Sequence, residues 1–337
     1  MKYLYLLVSD DSDYFLEQAL LSINSLRVQM PGAFISLLVD NITASNLNGK
    51  RREIISLVNE YQIITIDAQF SKKARSRYLK TTMRRNIEGD FLYIDNDTII
   101  ADSLSDIENT DGDIGAVLNL HLKISEYEKY SKLTLQDIRE RDKKLGFVST
   151  FNSNTHFNGG IIFCRDNAAA HNFFTEWHLL WLYCHENGNT NDQQSFNQTN
   201  YSLGNIIHEL EGIWNCQILK DGAVRFLHNS KIIHYFASKE IEKVFLLAST
   251  DIMKNIKETG TVDDNIKDML KQAKSLFAVN TRLLLIDESL GKFFDSAFFG
   301  FSRRIFSSKF GAAIEFIFSP IRKYIFTPLR KMIFEKP

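Results

Sequence analysis

FLYIDNDTII, Phe91 to Ile100, runs through four apolar positions into Asp95, Asn96 and Asp97 and returns at once to apolar residues. Phe91 to Ile94 has the aromatic and β-branched character of a buried strand, and Asp-Asn-Asp is the chemistry of a strand end. Two carboxylates placed side by side there raise each other's pKa unless something positive lies between them. A solvated turn is one resolution. The other is a divalent cation, because hard carboxylate oxygens suit Mg²⁺ or Mn²⁺, ions that keep open positions for substrate phosphates.

The surroundings decide the fold class. Before this stretch, KYLYLLVS, AFISLLVD and QIITID read as strands, while FLEQALLSINSLR, REIISLVNEY and the basic RSRYLKTTMRRNI carry apolar residues at helical spacing. Regular strand–helix alternation predicts an α/β protein with a mainly parallel sheet flanked by helices. Such sheets bind ligands beyond the carboxyl ends of their strands. Those ends carry Ser9, Asp10 and Asp11 after the first strand and Asp95, Asn96 and Asp97 after the fourth.

Further on, DIGAVLNL reads as a strand, His121 to Gly146 as a polar helical insertion or mobile lid, HFNGGIIFCR as a strand, and Ala168 to His185 as a long helix. Three regions are expected: a catalytic domain over residues 1–240, a helical extension over 241–292, and a basic, Phe-rich amphipathic tail over 293–337.

With 337 residues and 44% hydrophobic content, the chain can bury a large core. Lys+Arg 40 against Asp+Glu 41 leaves a net charge of −1, which excludes a global field for nucleic acid. Cys164, Cys184 and Cys216 are too few and too scattered for a disulfide framework or a thiolate cluster, which fits a reducing cytoplasm. No apolar run reaches the length of about 18 residues that a membrane-crossing helix needs.

Other positions carry two readings each. Gly159 and Gly160 let a sugar ring approach the backbone or mark a bulge, and Asn158 beside them offers hydrogen bonds to hydroxyls. Asp192 and Gln193 offer an acceptor and an amide, or begin a helix. Trp214 and Asn215 are a sugar-stacking face with a polar neighbour, or a buried aromatic and a turn residue. His234 after an apolar pair is a metal ligand or a satisfied core histidine.

Taken in order, these stretches resemble nucleotide-sugar-dependent glycosyltransferases of the GT-A fold, and within them glycosyltransferase family 8, the group of glycogenin and the lipopolysaccharide glucosyl- and galactosyltransferases. DND resembles their DxD, RSRYLKT the basic helix before it, HFNGGIIF the strand FNSGVLLIN, NDQQSFN the segment DQDVLN, and KIIHYFAS a late histidine segment. EGIWNCQ is similar to the LPxxWNxQ of related sugar transferases. The resemblance covers residues 1–240 and implies Asp95, Asp97 and His234 as ligands of Mn²⁺ or Mg²⁺, with His228 as competitor for the third place. It implies nucleotide contacts from Ser9, Asp10, Asp11, Arg77 and Asn96, sugar or acceptor contacts from Asn158, Gly159, Gly160, Trp214 and Asn215, and catalytic roles for Gln193 and Asp192. The implied reaction moves a hexose from a UDP-sugar to a glycan or lipid-linked hydroxyl with retention; Asp192 acting as a base would invert it. Gly159 and Gln194 depart from the pattern, which has Ser or Ala and a second Asp. Nucleotidyl transfer is the competing enzyme reading, and no Gly-rich phosphate loop follows the first strand to support it. A catalytically silent glycan- or nucleotide-binding scaffold is the non-enzyme alternative.

The tail alternates aromatics with cations. Residues 293–337 hold eight Lys/Arg against three Asp/Glu, an excess of +5, with Phe298, Phe301 and Ile305 at helical spacing, as are Ile314, Ile317, Ile321 and Ile325. Arg303–Arg304, Arg322–Lys323 and Arg330–Lys331 come in pairs, and Pro320 and Pro328 start new helices. A basic amphipathic segment of this kind suits the anionic inner face of a cell membrane, a peripheral location; packing on the catalytic domain or in a dimer is the alternative.

Overall fold

The computed structural model describes residues 1–130, 132–218, 224–237, 241–277 and 296–306, with Ser308, Gly311 and Ala313 beyond them. Its strands are β1 (Lys2–Leu7), β2 (Phe34–Asp40), β3 (Glu60–Ile64), β4 (Phe91–Ile94), β5 (Thr98–Ile100), β6 (Ile114–Leu118), β7 (Phe157–Cys164), β8 (Ile207–Leu210), β9 (Cys216–Gln217) and β10 (Ile232–His234). The α-helices between β1 and β8 are α1 (Phe15–Gln29), α2 (Asn41–Asn46), α3 (Lys72–Asn86), α4 (Ile124–Tyr130), α5 (Lys132–Lys144), α6 (Ser149–Asn152), α7 (Ala168–Glu186) and α8 (Gln193–Ser202).

A seven-stranded sheet runs in the order β3-β2-β1-β4-β7-β6-β8, and β5-β10-β9 form a second, small sheet. β1, β2, β3 and β4 pair in parallel, β7 runs antiparallel to both β4 and β6, and β8 follows β6 in parallel. The result is the mixed, mainly parallel α/β sheet expected.

β1 shows why its sequence is a continuous apolar run. Tyr3, Tyr5 and Leu7 join α1 in one core cluster, while Leu4, Leu6 and Val8 join residues of α3 and α7 in another. Successive side chains alternate faces, so a strand buried on both faces needs apolar residues at every position. α2, which the sequence reading missed, starts where the Asp40 carboxylate accepts from Thr43 N at 3.0 Å. Such a cap stabilises a helix start by about 1 kcal/mol.

REIISLVNEY departs from the helix expected there. It is a 3₁₀ segment, Gly49–Leu57, followed by β3 from Glu60. The Asn59 side chain accepts from Ile35 N at 2.9 Å and Asn59 N donates to Ile35 O at 2.8 Å, so the edge of β2 draws the chain into the sheet before a full helix can form. The His121–Gly146 stretch is helical, as expected, but Ile124, Tyr127, Leu135 and Ile138 give it a small buried cluster of its own.

The chain divides into two compact units, Met1–Leu285 and Ile286–Pro337. In the first, Ile241, Phe245, Met253, Ile256, Ile266 and Leu270 belong to the same core cluster as α1. In the second, a helix covers Ala297–Phe306, with Phe298 and Phe301 exposed. The expectations for Ile314, Ile317, Ile321, Ile325, the two prolines and the later cation pairs fall outside the described residues. Among the described residues, no helix is long and apolar enough to cross a membrane.

Candidate active site

Three chain segments meet at the carboxyl end of β4. Ile94 pairs with Ile161 of β7, and Asp95 N donates to Gly160 O at 2.8 Å, so Asp95 leaves the sheet at its rim. Asn96 Nδ2 donates to Leu6 O at 2.9 Å, tying the turn to β1. The chain then enters β5, where Thr98 pairs with His234 of β10, and Tyr235 N donates to Asp97 O at 3.1 Å. This brings His234 Nε2 to 3.3 Å from Asp97 Oδ1.

Asp95, Asp97 and His234 each present a ligand atom within 4.8 Å of the others, and no other group of three or more such residues occurs among the described residues. His228, the competitor, is exposed and stands apart from the group. Burial pushes the Asp97 carboxyl up, but the His234 imidazole and the Lys80 ammonium outweigh it and leave the group below its usual range. A protonated Nε2 can donate to Asp97 Oδ1 across this 3.3 Å, and a deprotonated one presents its lone pair beside the carboxylate oxygen, as a bound cation requires. Two carboxylates and an imidazole fit a divalent cation.

The histidine is held from several sides. Its ring stacks on Phe236 with centroids 3.9 Å apart and planes at 13°. Phe236 and Ala237 sit at φ 55° and 37°, a conformation that costs non-glycine residues on the order of 1 kcal/mol each, and this turn places the ring over the imidazole. On another side lies Gly160, where an added Cβ would fall 2.8 Å from His234 Nδ1 and closer still to Cε1. The second glycine of HFNGG is therefore the space the histidine occupies. Gly159 differs: an added Cβ there would meet Lys80 Nζ at 3.6 Å and Asp192 Oδ2 at 3.7 Å, ordinary contacts at the edge of the charged site.

A second charged group adjoins the first. Arg77 Nε lies 2.7 Å from Asp192 Oδ1, and Lys80 Nζ lies 3.4 Å from both Asp192 Oδ2 and Asp95 Oδ1. Tyr93 donates its hydroxyl to Asp95 Oδ1. Burial pushes the Asp192 carboxyl up, yet Lys80 and Arg77 pull it to about 2. Lys80 was missed by the sequence reading, although its spacing of three from Arg77 puts both on one face of α3.

Gln193, the first residue of α8, has its Nε2 3.1 Å from His156 Nε2. Burial, reinforced by Arg141, lowers the His156 pKa to about 4, so the neutral ring accepts from the amide at ordinary pH. His156, too, lay outside the sequence reading. Trp214 and Asn215 correct an expectation: Trp214 packs in the apolar core and Asn215 is fully buried beneath His234, so neither presents a face for a sugar.

The end of β1 is built from ion pairs. Lys72 Nζ lies 2.6 Å from Asp10 and 2.8 Å from Asp13, and Arg51 Nε lies 3.4 Å from Asp11. The Lys72 and Ser12 hydrogen bonds hold the Asp10 carboxyl well below its usual range. Ser9 N donates to Thr43 Oγ1 at 3.0 Å, Ser9 Oγ donates to Asp13 Oδ1 at 2.7 Å, and Arg51 Nη2 donates to Ser9 Oγ at 3.0 Å.

Solved structures similar to this chain include glycosyltransferases. The apo form of WbbM, a bifunctional glycosyltransferase, gives a TM-score of 0.48 at 17% identity, over 77% of this chain and 51% of that one. The present chain thus spans about half the length of WbbM. The galactosyltransferase LgtC, in complex with donor and acceptor sugar analogs, gives 0.45 at 14% identity over 80% and 99%. GlyE of Streptococcus pneumoniae gives 0.44 at 18% identity over 82% and 65%. No family model and no curated protein matches.

Chemically, the β4 rim offers anionic oxygens and an imidazole for a cation, flanked by Arg77 and Lys80, guanidinium and ammonium groups suited to phosphate oxygens. Asp192 is ill suited to take a proton, because a general base works best with a pKa near the working pH.

Proposed function

We propose that this chain is a metal-dependent, retaining glycosyltransferase that moves a hexose from a UDP-sugar to a hydroxyl of a surface-glycan or lipid-linked acceptor. The observation that carries the reading is the convergence within 4.8 Å of Asp95 and Asp97 from the β4–β5 turn and His234 from β10, beside Arg77 and Lys80. Bound there, Mn²⁺ or Mg²⁺ would neutralise the charge that develops on a departing diphosphate. Arg77 and Lys80 add fixed positive charge next to the same oxygens, and Tyr93 orients Asp95. Ser9, Asp10, Asp11 and Asn96 line the neighbouring strand ends and are assigned to the nucleoside.

Retention is supported by Asp192: a carboxylate held at about 2 by two cations is a weak base, whereas a front-face reaction lets the departing phosphate oxygen take the acceptor proton. Asp192 and the Gln193 amide then steady positive charge on the sugar. His156 holds that amide. The exposed Phe298 and Phe301, on a helix that also carries Arg303 and Arg304, support docking on an anionic membrane from the cytoplasmic side.

The test is hydrolysis of UDP-sugars by the full chain with Mn²⁺, with a chelator, and with Asp97→Ala. Turnover is expected to fall by about a hundredfold or more in the last two cases. Full activity in Asp97→Ala ends the metal reading, and a wild-type chain that binds UDP with Mn²⁺ yet turns over no sugar nucleotide is a binding protein. Removing residues 293–337 is expected to abolish pelleting with anionic liposomes and spare hydrolysis; unchanged pelleting refutes the membrane assignment.

A further inference from the structure

A chain of buried amides runs from the backbone of β7 to the imidazole of His234, and its polarity can be worked out from one fixed point. Gly160 N–H can only donate, and it lies 2.8 Å from Asn158 Oδ1, which fixes that atom as the amide oxygen. The Asn215 amide atom 3.0 Å from this oxygen must therefore be the nitrogen. That leaves Asn215 Oδ1 facing His234 Nδ1 at 3.0 Å. An acceptor at that place requires a proton on Nδ1. On the far side the same orientation is continued: Asn158 Nδ2 faces Asn119 Oδ1 at 3.4 Å, and Asn119 exchanges hydrogen bonds of 2.8 and 2.7 Å with the Tyr127 hydroxyl.

We propose that Asn158 and Asn215 are positioning residues that fix His234 with its proton on Nδ1 and turn its Nε2 toward Asp97. The inference deepens the metal reading above and rests on it for its use. Both amides are buried, Asn215 fully. Asn215 must donate to one neighbour and accept from the other through a single side chain, a demand that an amide meets and an aliphatic side chain of the same size does not. Gly160 serves the arrangement twice, because its N–H sets the polarity and its missing Cβ leaves room for the imidazole. Partners of this kind behind a metal-bound histidine are worth about ten- to a hundredfold in metal affinity.

Two measurements on the full chain decide the matter. Long-range nitrogen–proton correlation spectra of metal-free protein, labelled at histidine and recorded at mildly alkaline pH, report which ring nitrogen of His234 carries the proton. The His234→Asn variant assigns the signal. Wild type is expected to show a protonated Nδ1, and Asn215→Leu to lose it; Asn215→Asp, which retains an acceptor toward the ring, is expected to retain it. Binding of Mn²⁺ alone, followed by the loss of its free spin-resonance signal, is expected to weaken about ten- to a hundredfold in Asn215→Leu and only a few-fold in Asn215→Asp. An unprotonated Nδ1 in wild type, or Asn215→Leu binding Mn²⁺ as well as wild type, overturns the proposal. A protonated Nδ1 in a wild type that binds no Mn²⁺ supports the assignment of Asn158 and Asn215 and removes the metal reading instead.

Discussion

The carboxyl ends of the neighbouring parallel strands β1 and β4 carry the same kind of residue, and they treat it differently. After β1, Asp10 and Asp13 share Lys72 and Asp11 pairs with Arg51, so each of these carboxylates is met by a cation from the protein. After β4, Asp97 has the imidazole of His234 at 3.3 Å and feels Lys80 only through space, and Asp95 accepts from the Tyr93 hydroxyl and has Lys80 at 3.4 Å, a cation it shares with Asp192. Charge that is already matched holds a loop in shape. Charge that is only partly matched and held at a set separation leaves a place for a cation, as the metal reading proposes. Residue type alone does not separate the two cases, and the partners do.

The largest test of this contrast exchanges one carboxylate in each place. Asp97→Asn is expected to weaken Mn²⁺ binding by more than about a hundredfold, and Asp10→Asn to leave it within about twofold, as followed by calorimetric titration with Mn²⁺ alone. Equal losses would erase the distinction between the two strand ends. A second test compares the paired glycines. Gly160→Ala drives a methyl group into the His234 ring and is expected to cost up to about 3 kcal/mol in chemical denaturation and to impair Mn²⁺ binding as well. Gly159→Ala meets only ordinary contacts and is expected to cost less than about 1 kcal/mol. A reversed order would contradict the packing around His234.

The third and smallest effect concerns acid. Asp192 has its pKa lowered from 3.8 to about 2, so its ion pairs contribute fully above pH 3.8 and are lost as pH falls toward 2. By that shift, Asp192→Asn is expected to be less stable than wild type by roughly 2 kcal/mol near neutrality. The difference should close between about pH 4 and pH 2, as followed by denaturation at a series of pH values. A gap that persists at pH 2 would assign the loss to packing.

Much of the site was legible because each piece is local. The apolar run into DND, the glycine pair in HFNGG and the histidine after KII all announce themselves within a few residues. What stayed hidden depends on pairing across distance. β5 is only Thr98–Ile100, too short to show a period, and it becomes a strand because β10 lies beside it. The reversed direction of β7 follows from its neighbours β4 and β6 and leaves no trace in its own sequence. Asn215 and Trp214 look like polar and stacking groups by type, yet burial gives the first to His234 and the second to the core. The 3₁₀ segment at Gly49–Leu57 was misread for the same reason: its apolar spacing is helical, and the edge of β2 overrides it.

The rung between Thr98 and His234 has one more implication. Because His234 belongs to this ladder and Asp97 precedes it, joined to Tyr235 N through its carbonyl, the separation of their backbones is inherited from sheet geometry. On the metal reading proposed above, a site built in this way would gauge ionic radius. It should discriminate between cations of different size more sharply than a flexible acidic loop of equal charge, even where the surrounding surface is free to vary.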